Sequence, residues 1–269
     1  MDASRAQKAS LHWNNWEGAK PLPYRMMCLT AHPDDESGAF GGALLMAHDL
    51  GIETTVVCLT EGAAGSFRGN AKCAEELAQM RRSELDAASK ILGVTHTEVL
   101  NYPDGALDQQ NFSELVRALI AKIRSYRPQV ILTFGGDGGV NLHRDHTIIS
   151  LAATAAFHWA GRGQFFPEAG AFYAPQKLYY SSTPFISVYN SNEGANAARV
   201  PYSLSLELGK WREQKIEAFK QHVSQHGVLE RVRDFIDQHF DYERYLLAAS
   251  RDGRPLTEDD SLFTGVTED

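Results

Sequence analysis

Five short stretches of the chain read as strands: Met26 to Thr30, Thr54 to Thr60, His96 to Leu100, Gln129 to Phe134 and Lys177 to Ser181. Three of them, at 26, 54 and 129, are almost unbroken runs of apolar and β-branched residues, which is the pattern of strands buried on both faces. Helical spacing occupies the intervals. Phe40 to Leu50 is an Ala/Leu/Met helix stopped by Gly51, and Cys73 to Leu92 places Leu77, Met80, Leu85, Ala88 and Leu92 near one stripe before Gly93. Phe112 to Tyr126 and Thr147 to Trp159 continue the alternation. Strand, helix, strand in this order predicts right-handed crossovers and a Rossmann-like three-layer α/β fold around a mainly parallel sheet. Two further helical patterns, Leu208 to Gln225 and Val228 to about Ala249, are expected to close the domain.

Outside this frame, residues 1–23 are polar apart from Trp13 and Trp16, end in Pro21-Leu22-Pro23, and read as an N-terminal arm. Residues 24–250 read as one domain. Within it, 161–206 is rich in Gly, Pro, Ser and aromatics and is expected to form a cap or a subunit contact, which favours a homo-oligomer over a monomer. Residues 251–269 read as an acidic, exposed or partner-draped tail. With 269 residues, 43% of them apolar, the chain is long enough for one sizeable core. A formal net charge of −8 gives no basic footprint for nucleic acid or acidic membranes. No run approaches the roughly 18 apolar residues of a membrane span, and the N-terminus lacks an apolar signal segment, so a cytoplasmic location is expected. Cys28, Cys58 and Cys73 have no C-x-x-C spacing, and the first two fall in strands, where a thiol behaves as a small hydrophobe.

The candidate chemistry lies just after two of the strands. Ala31-His32-Pro33-Asp34-Asp35-Glu36 follows the first, and Leu142-His143-Arg144-Asp145-His146 follows the fourth. Taken alone, the hexapeptide could be a helix-capping turn. Yet both clusters fall at the carboxyl ends of parallel strands, where such sheets bind ligands, and crowded carboxylates call for a cation. Imidazole and carboxylate together suit a zinc-type ion that keeps one position open for water. His32 and Asp35 can turn toward one point, and either His143 or His146 can complete the set, since the two share a helical face. A carboxylate not spent on the metal, Asp34 or Glu36, could act as general base, and a spare imidazole could serve the oxyanion or the leaving amine, held in its tautomer by Asp145. Arg68, in the Gly-rich loop 61–70, could reach a substrate hydroxyl or acid group, and Asp104 sits in the turn after the third strand.

These residues resemble the PIG-L/LmbE-like family of zinc-dependent N-acetylglucosaminyl deacetylases. The hexapeptide at 31 and His143-Arg144-Asp145-His146 carry the likeness. Weaker signatures at Leu59 to Gly65, Arg81 and Glu84, Ile91 to Val94, Tyr102 to Gly105, and Lys215 to Gln225 with His222 support it. The resemblance implies that His32, Asp35 and His146 bind zinc and that Asp34 is the general base. It further implies that His143, steadied by Asp145, serves the oxyanion or leaving group, and that Arg68 and Asp104 grip sugar hydroxyls. Some members place Tyr-Gly before the first histidine of the second cluster, where this chain has Asn141-Leu142. The implied activity removes acetyl from an N-acetylglucosamine-type sugar or small glycoconjugate, giving acetate and a free amine. Iron(II) suits the same ligands. Two rival readings use the same residues: a metal-dependent amidase acting on a larger acyl conjugate, and a sugar- or metal-binding protein without turnover.

Overall fold

All five predicted strands enter one seven-stranded sheet, in the order β3-β2-β1-β4-β5-β7-β6. The computed structural model describes residues 22–182, 201–253 and 261–268. In chain order the strands are β1 (Arg25–Thr30), β2 (Glu53–Thr60), β3 (His96–Tyr102), β4 (Val130–Phe134), β5 (Lys177–Ser181), β6 (Leu204–Glu207) and β7 (Tyr242–Ser250). The pairs β3-β2, β2-β1, β1-β4 and β4-β5 are parallel, whereas β7 runs antiparallel to both β5 and β6. Helices α1 (Asp35–Asp49), α2 (Ala74–Ile91), α3 (Phe112–Tyr126) and α4 (Arg144–Trp159) form the crossovers, followed by α5 (Arg212–Lys220), α6 (His226–Arg231) and α7 (Arg233–His239). α1 packs with α2 and α5, and α3 packs with α4, so helices cover both faces. The mainly parallel three-layer fold is as expected.

Two elements differ from the sequence reading. The pattern from Val228 to Ala249 is not one helix: two short helices give way to β7. Its Glu, Arg, Leu and Ala residues favour helix locally, but Glu243 and Tyr245 alternate onto the buried face, and the segment is drawn between two strand partners. Likewise 161–206 is not cap alone, because Leu204–Glu207 is the edge strand β6. Residues 183–200 of that region, and the predicted arm up to residue 21 with Trp13 and Trp16, lie outside the described residues. Part of the predicted exposed tail is packed instead. Leu262, Phe263 and Val266 are buried, Tyr24 stacks on Phe263 at 5.6 Å, and its hydroxyl donates to the Val266 carbonyl. Three apolar residues in six outweigh the acidic composition around them.

β7 is joined to α1 and α5 by a buried charge cluster. Glu243 accepts from the N–H groups of Gly42 and Ala43 at 2.7 and 2.9 Å, from Lys215 Nζ at 2.7 Å and from the Tyr245 hydroxyl at 2.6 Å. Lys215 is fully buried over the Phe240 ring. Glu243→Ala leaves that ammonium without its carboxylate and is expected to cost about 3–5 kcal/mol in urea unfolding. Pairing Lys215→Met with Glu243→Gln should recover most of the loss; a double variant no better than Glu243→Ala would contradict a charge origin.

Candidate active site

Between β1 and β4 the strand order reverses. Chains leaving these two strands turn to opposite faces of the sheet, and the crevice at their carboxyl ends is where open α/β sheets place ligands. The loop from Ala31 into α1 and the loop from Gly135 into α4 meet there. A cavity of about 300 Å³ opens at this point, lined by His32, Asp34, Asp35, Asp104 and His143 among others. That volume is at the lower end for small-molecule sites, about 300–1,000 Å³.

Three donor atoms converge at its floor. Asp35 Oδ1 lies 3.1 Å from His146 Nε2, His146 Nε2 lies 3.3 Å from His32 Nδ1, and His32 Nδ1 lies 3.7 Å from the second Asp35 oxygen. Ligands held at 2.0–2.1 Å in a tetrahedron stand about 3.3–3.4 Å apart, so this spacing suits a zinc-type ion. The remaining atoms of the three side chains are already occupied. Asp35 Oδ2 accepts from the N–H groups of Ala31 and His32 at 3.0 and 2.8 Å, and His146 Nδ1 donates to the Gly138 carbonyl at 3.1 Å. His32 Nε2 faces Asp104 at 3.1 Å and Asp145 at 3.2 Å. A ring nitrogen tied to a carboxylate or carbonyl is the usual support of a metal-binding histidine, because it aims the other nitrogen's lone pair at the ion.

The charges agree with that donor set. Burial opposes a proton on His32, but its hydrogen bonds to Asp104 and Asp145, with the nearby Asp35 charge, push it up to about 10. Burial would likewise raise Asp35, yet the His146 and His32 rings hold it well below the usual carboxylate range. The site therefore attracts positive charge, which a metal would supply in place of the His32 proton. Two other groupings within 4.8 Å offer themselves as ligands: His32, His143 and His146, and His32, Asp104 and Asp145. In the second, both Asp145 oxygens already accept N–H groups, from Gly105 at 2.8 Å and Leu107 at 3.1 Å.

Asp34 stands beside the donors with φ at 120°, a conformation few L-residues adopt. What maintains it is a buried scaffold. Arg81 from α2 donates to the Pro33 carbonyl, to Gly62 O at 3.0 Å and to Asp34 Oδ2 at 3.0 Å. Gly62 is required there: its φ is +68°, and a Cβ would lie 2.2 Å from Arg81 Nη1. From below, Glu36 accepts the Asp34 N–H at 2.9 Å while its other oxygen accepts from Ser37 and meets His222 Nε2 at 2.7 Å. Burial pushes Asp34 up to about 6 despite the Arg81 charge, within reach of a base operating near neutral pH. Glu36, tied to His222 and Ser37 and fully buried, does not line the cavity, so of the two candidate bases Asp34 is the one that faces it.

His143 is the N-cap of α4, and its Nδ1 accepts the Asp145 N–H at 3.1 Å. Nε2 then carries the proton of the neutral ring. Burial and the neighbouring His32 and His146 hold its pKa below the ordinary value, so the neutral donor form prevails at pH 7.

All eight predicted site residues are described, and seven meet at this crevice. Arg68 does not: it is exposed, and the lining runs through Ala64 to Phe67 instead. The expected support of His143 by the Asp145 carboxylate is also replaced. That carboxylate turns to His32 and the 105–107 loop, and His143 receives only the backbone N–H. Asn141, where some family members carry tyrosine, lines the cavity and accepts the His143 N–H, and Leu142 takes φ +57°, a left-handed position that suits the glycine of those members. Arg81 and His222 appeared in the sequence only as parts of motifs, and Glu36 only as the alternative to Asp34 as base. Arg81 alone carried a signal of its own, as a charged residue in line with Leu77, Leu85 and Ala88 on the buried stripe of α2.

A family model described as PIG-L, GlcNAc-PI de-N-acetylase, matches residues 27–157. Mycothiol S-conjugate amidase of Streptomyces coelicolor is 33% identical over 178 residues, 58% of this chain and 60% of that protein. The 1D-myo-inositol 2-acetamido-2-deoxy-alpha-D-glucopyranoside deacetylase of Rhodococcus jostii is 31% identical over 181 residues, 59% of this chain and 61% of that protein. The chain thus spans less than two thirds of these curated relatives. Among solved structures, N,N'-diacetylchitobiose deacetylase from Pyrococcus horikoshii shares the fold with a TM-score of 0.68 and 20% identity, over 82% of both chains.

Proposed function

We propose that this chain is a metal-dependent hydrolase of the PIG-L/LmbE-like type, a reading supported by the family match over residues 27–157, and that it removes acetyl from an N-acetylglucosamine-type sugar or small glycoconjugate. The observation carrying the reading is the convergence of His32 Nδ1, Asp35 Oδ1 and His146 Nε2 beside a cavity-facing Asp34. These three residues would hold the metal, zinc by the tetrahedral spacing, with iron(II) acceptable to the same donors. When bound, such an ion supplies a Lewis acid and lowers the pKa of its water from 15.7 toward about 7.

The chain's own groups perform the rest. Asp34 Oδ takes the proton of the attacking water, with Arg81 and Glu36 holding it in place. His143 Nε2–H donates to the oxygen that gains charge as the amide carbonyl becomes tetrahedral. Collapse expels the amine, which takes the proton from Asp34 and leaves acetate. Asp104 fixes His32 from behind and borders the cavity, a position from which its free lone pairs can take a sugar hydroxyl.

The relative from Streptomyces coelicolor favours a second reading, an amidase acting on a larger acyl conjugate with the same residues. Product analysis separates the two. The deacetylase reading expects acetate and a free amino sugar from N-acetylglucosaminides, with slower cleavage of a cysteine-bearing amide of the same sugar; the opposite preference would install the amidase.

A further inference from the structure

The cavity is lined by a guanidinium that the reaction does not use. Arg231, the last residue of α6, lines the cavity with Phe67, Phe219 and Val228. Its Cζ lies 4.7 Å from the Phe67 ring centroid. Phe67 is itself fixed from α6: Gln225 Nε2 donates to its carbonyl at 2.9 Å, and its ring lies so close to Gly227 that a Cβ there would come within 2.2 Å. Gly227 and Arg231 are four residues apart, on one face of the helix. The ring is thus packed between helix backbone and guanidinium, and the guanidinium lines the cavity over it.

Of the two arginines lining the cavity, Arg81 is spent on Asp34, Pro33 and Gly62, while Arg231 has no carboxylate partner among the described residues. The same lining carries Asp34, Asp35 and Asp104, and the chain bears a net charge of −8. Away from the metal donors, these carboxylates disfavour an anionic substituent, and Arg231 is the lining cation with no carboxylate of its own to offset it. A planar guanidinium backed by an aromatic ring is suited to take a carboxylate or phosphate through two parallel hydrogen bonds.

We propose that the substrate carries an acidic group on the portion attached to its amino sugar, and that Arg231, backed by Phe67, receives it. This rests on the amino-sugar reading above and narrows it to acidic glycoconjugates.

Binding, measured apart from turnover, tests it. Calorimetry on the zinc-loaded protein would compare carboxymethyl α-D-glucosaminide with its methyl ester, which differ in one charge. The expected result is at least about tenfold tighter binding of the acid, near 1.4 kcal/mol, and loss of that preference in Arg231→Gln. Equal binding of acid and ester, binding of neither, or a preference that survives Arg231→Gln overturns the proposal. Acetate release from the N-acetylated forms of both compounds is followed separately. Its absence would strike the deacetylase reading, while the acid-to-ester ratio still decides the role of Arg231.

Discussion

His146→Ala is expected to empty the metal site and take hydrolysis to background, whereas His143→Ala keeps the metal and loses about 10²–10³ in kcat, the scale of one oxyanion donor. The two histidines are three residues apart at the start of α4, yet their surroundings differ. His146 is buried, its Nδ1 is committed to the Gly138 carbonyl, and its Nε2 faces Asp35 and His32. His143 is only half-buried, takes the Asp145 N–H on Nδ1, and borders the cavity. These surroundings support the proposed roles, His146 as ligand and His143 as donor to substrate. Metal content by plasma emission, read beside kcat for each variant, checks the assignment. Metal retained by His146→Ala and lost from His143→Ala would reverse the roles and make His143, in place of His146, the ligand beside His32 and Asp35.

Asp34→Asn is the second large effect. The amide is nearly isosteric and can keep a hydrogen bond to Arg81, but it cannot accept a proton, so kcat should fall by about 10²–10⁴ with metal content unchanged. KM should change little, because the loss falls on a step in the transition state. Steady-state kinetics with metal analysis settle the matter. If Asp34→Asn retained most of its turnover, another group would have to take the proton, and the buried scaffold of Arg81, Glu36 and His222 around Asp34 would lose its catalytic meaning.

What could be read from the chain alone follows from how local each feature is. Strands β1, β2 and β4 are buried on both faces, so their residues form continuous apolar runs, and the two His/Asp clusters sit next to them in sequence. β7 was hidden because its partners are β5 and β6, brought in from elsewhere in the chain, and residues such as Glu243, Leu246 and Ala249 favour helix when considered locally. The metal donors were legible as types and spacing. Their supports were not, since Arg81 reaches Asp34 across 47 residues and His222 reaches Glu36 across 186. Asp145 shows the hazard of adjacency: two residues from His143, its carboxylate nevertheless points to His32 and to the N–H groups of Gly105 and Leu107, which only the folded β3–α3 connection brings near. Arg68 stands in the expected loop, but it is its neighbours Ala64 to Phe67 that line the cavity.

The most direct test follows acetate release from a panel of N-acetylglucosaminides by the purified protein, first as isolated, then after chelation, then after zinc is restored. Release that disappears with the chelator and returns with zinc is the predicted result. Release that continues in metal-stripped protein, or none from any acetylated sugar while the metal remains bound, would contradict a metal-dependent deacetylase built on His32, Asp35 and His146.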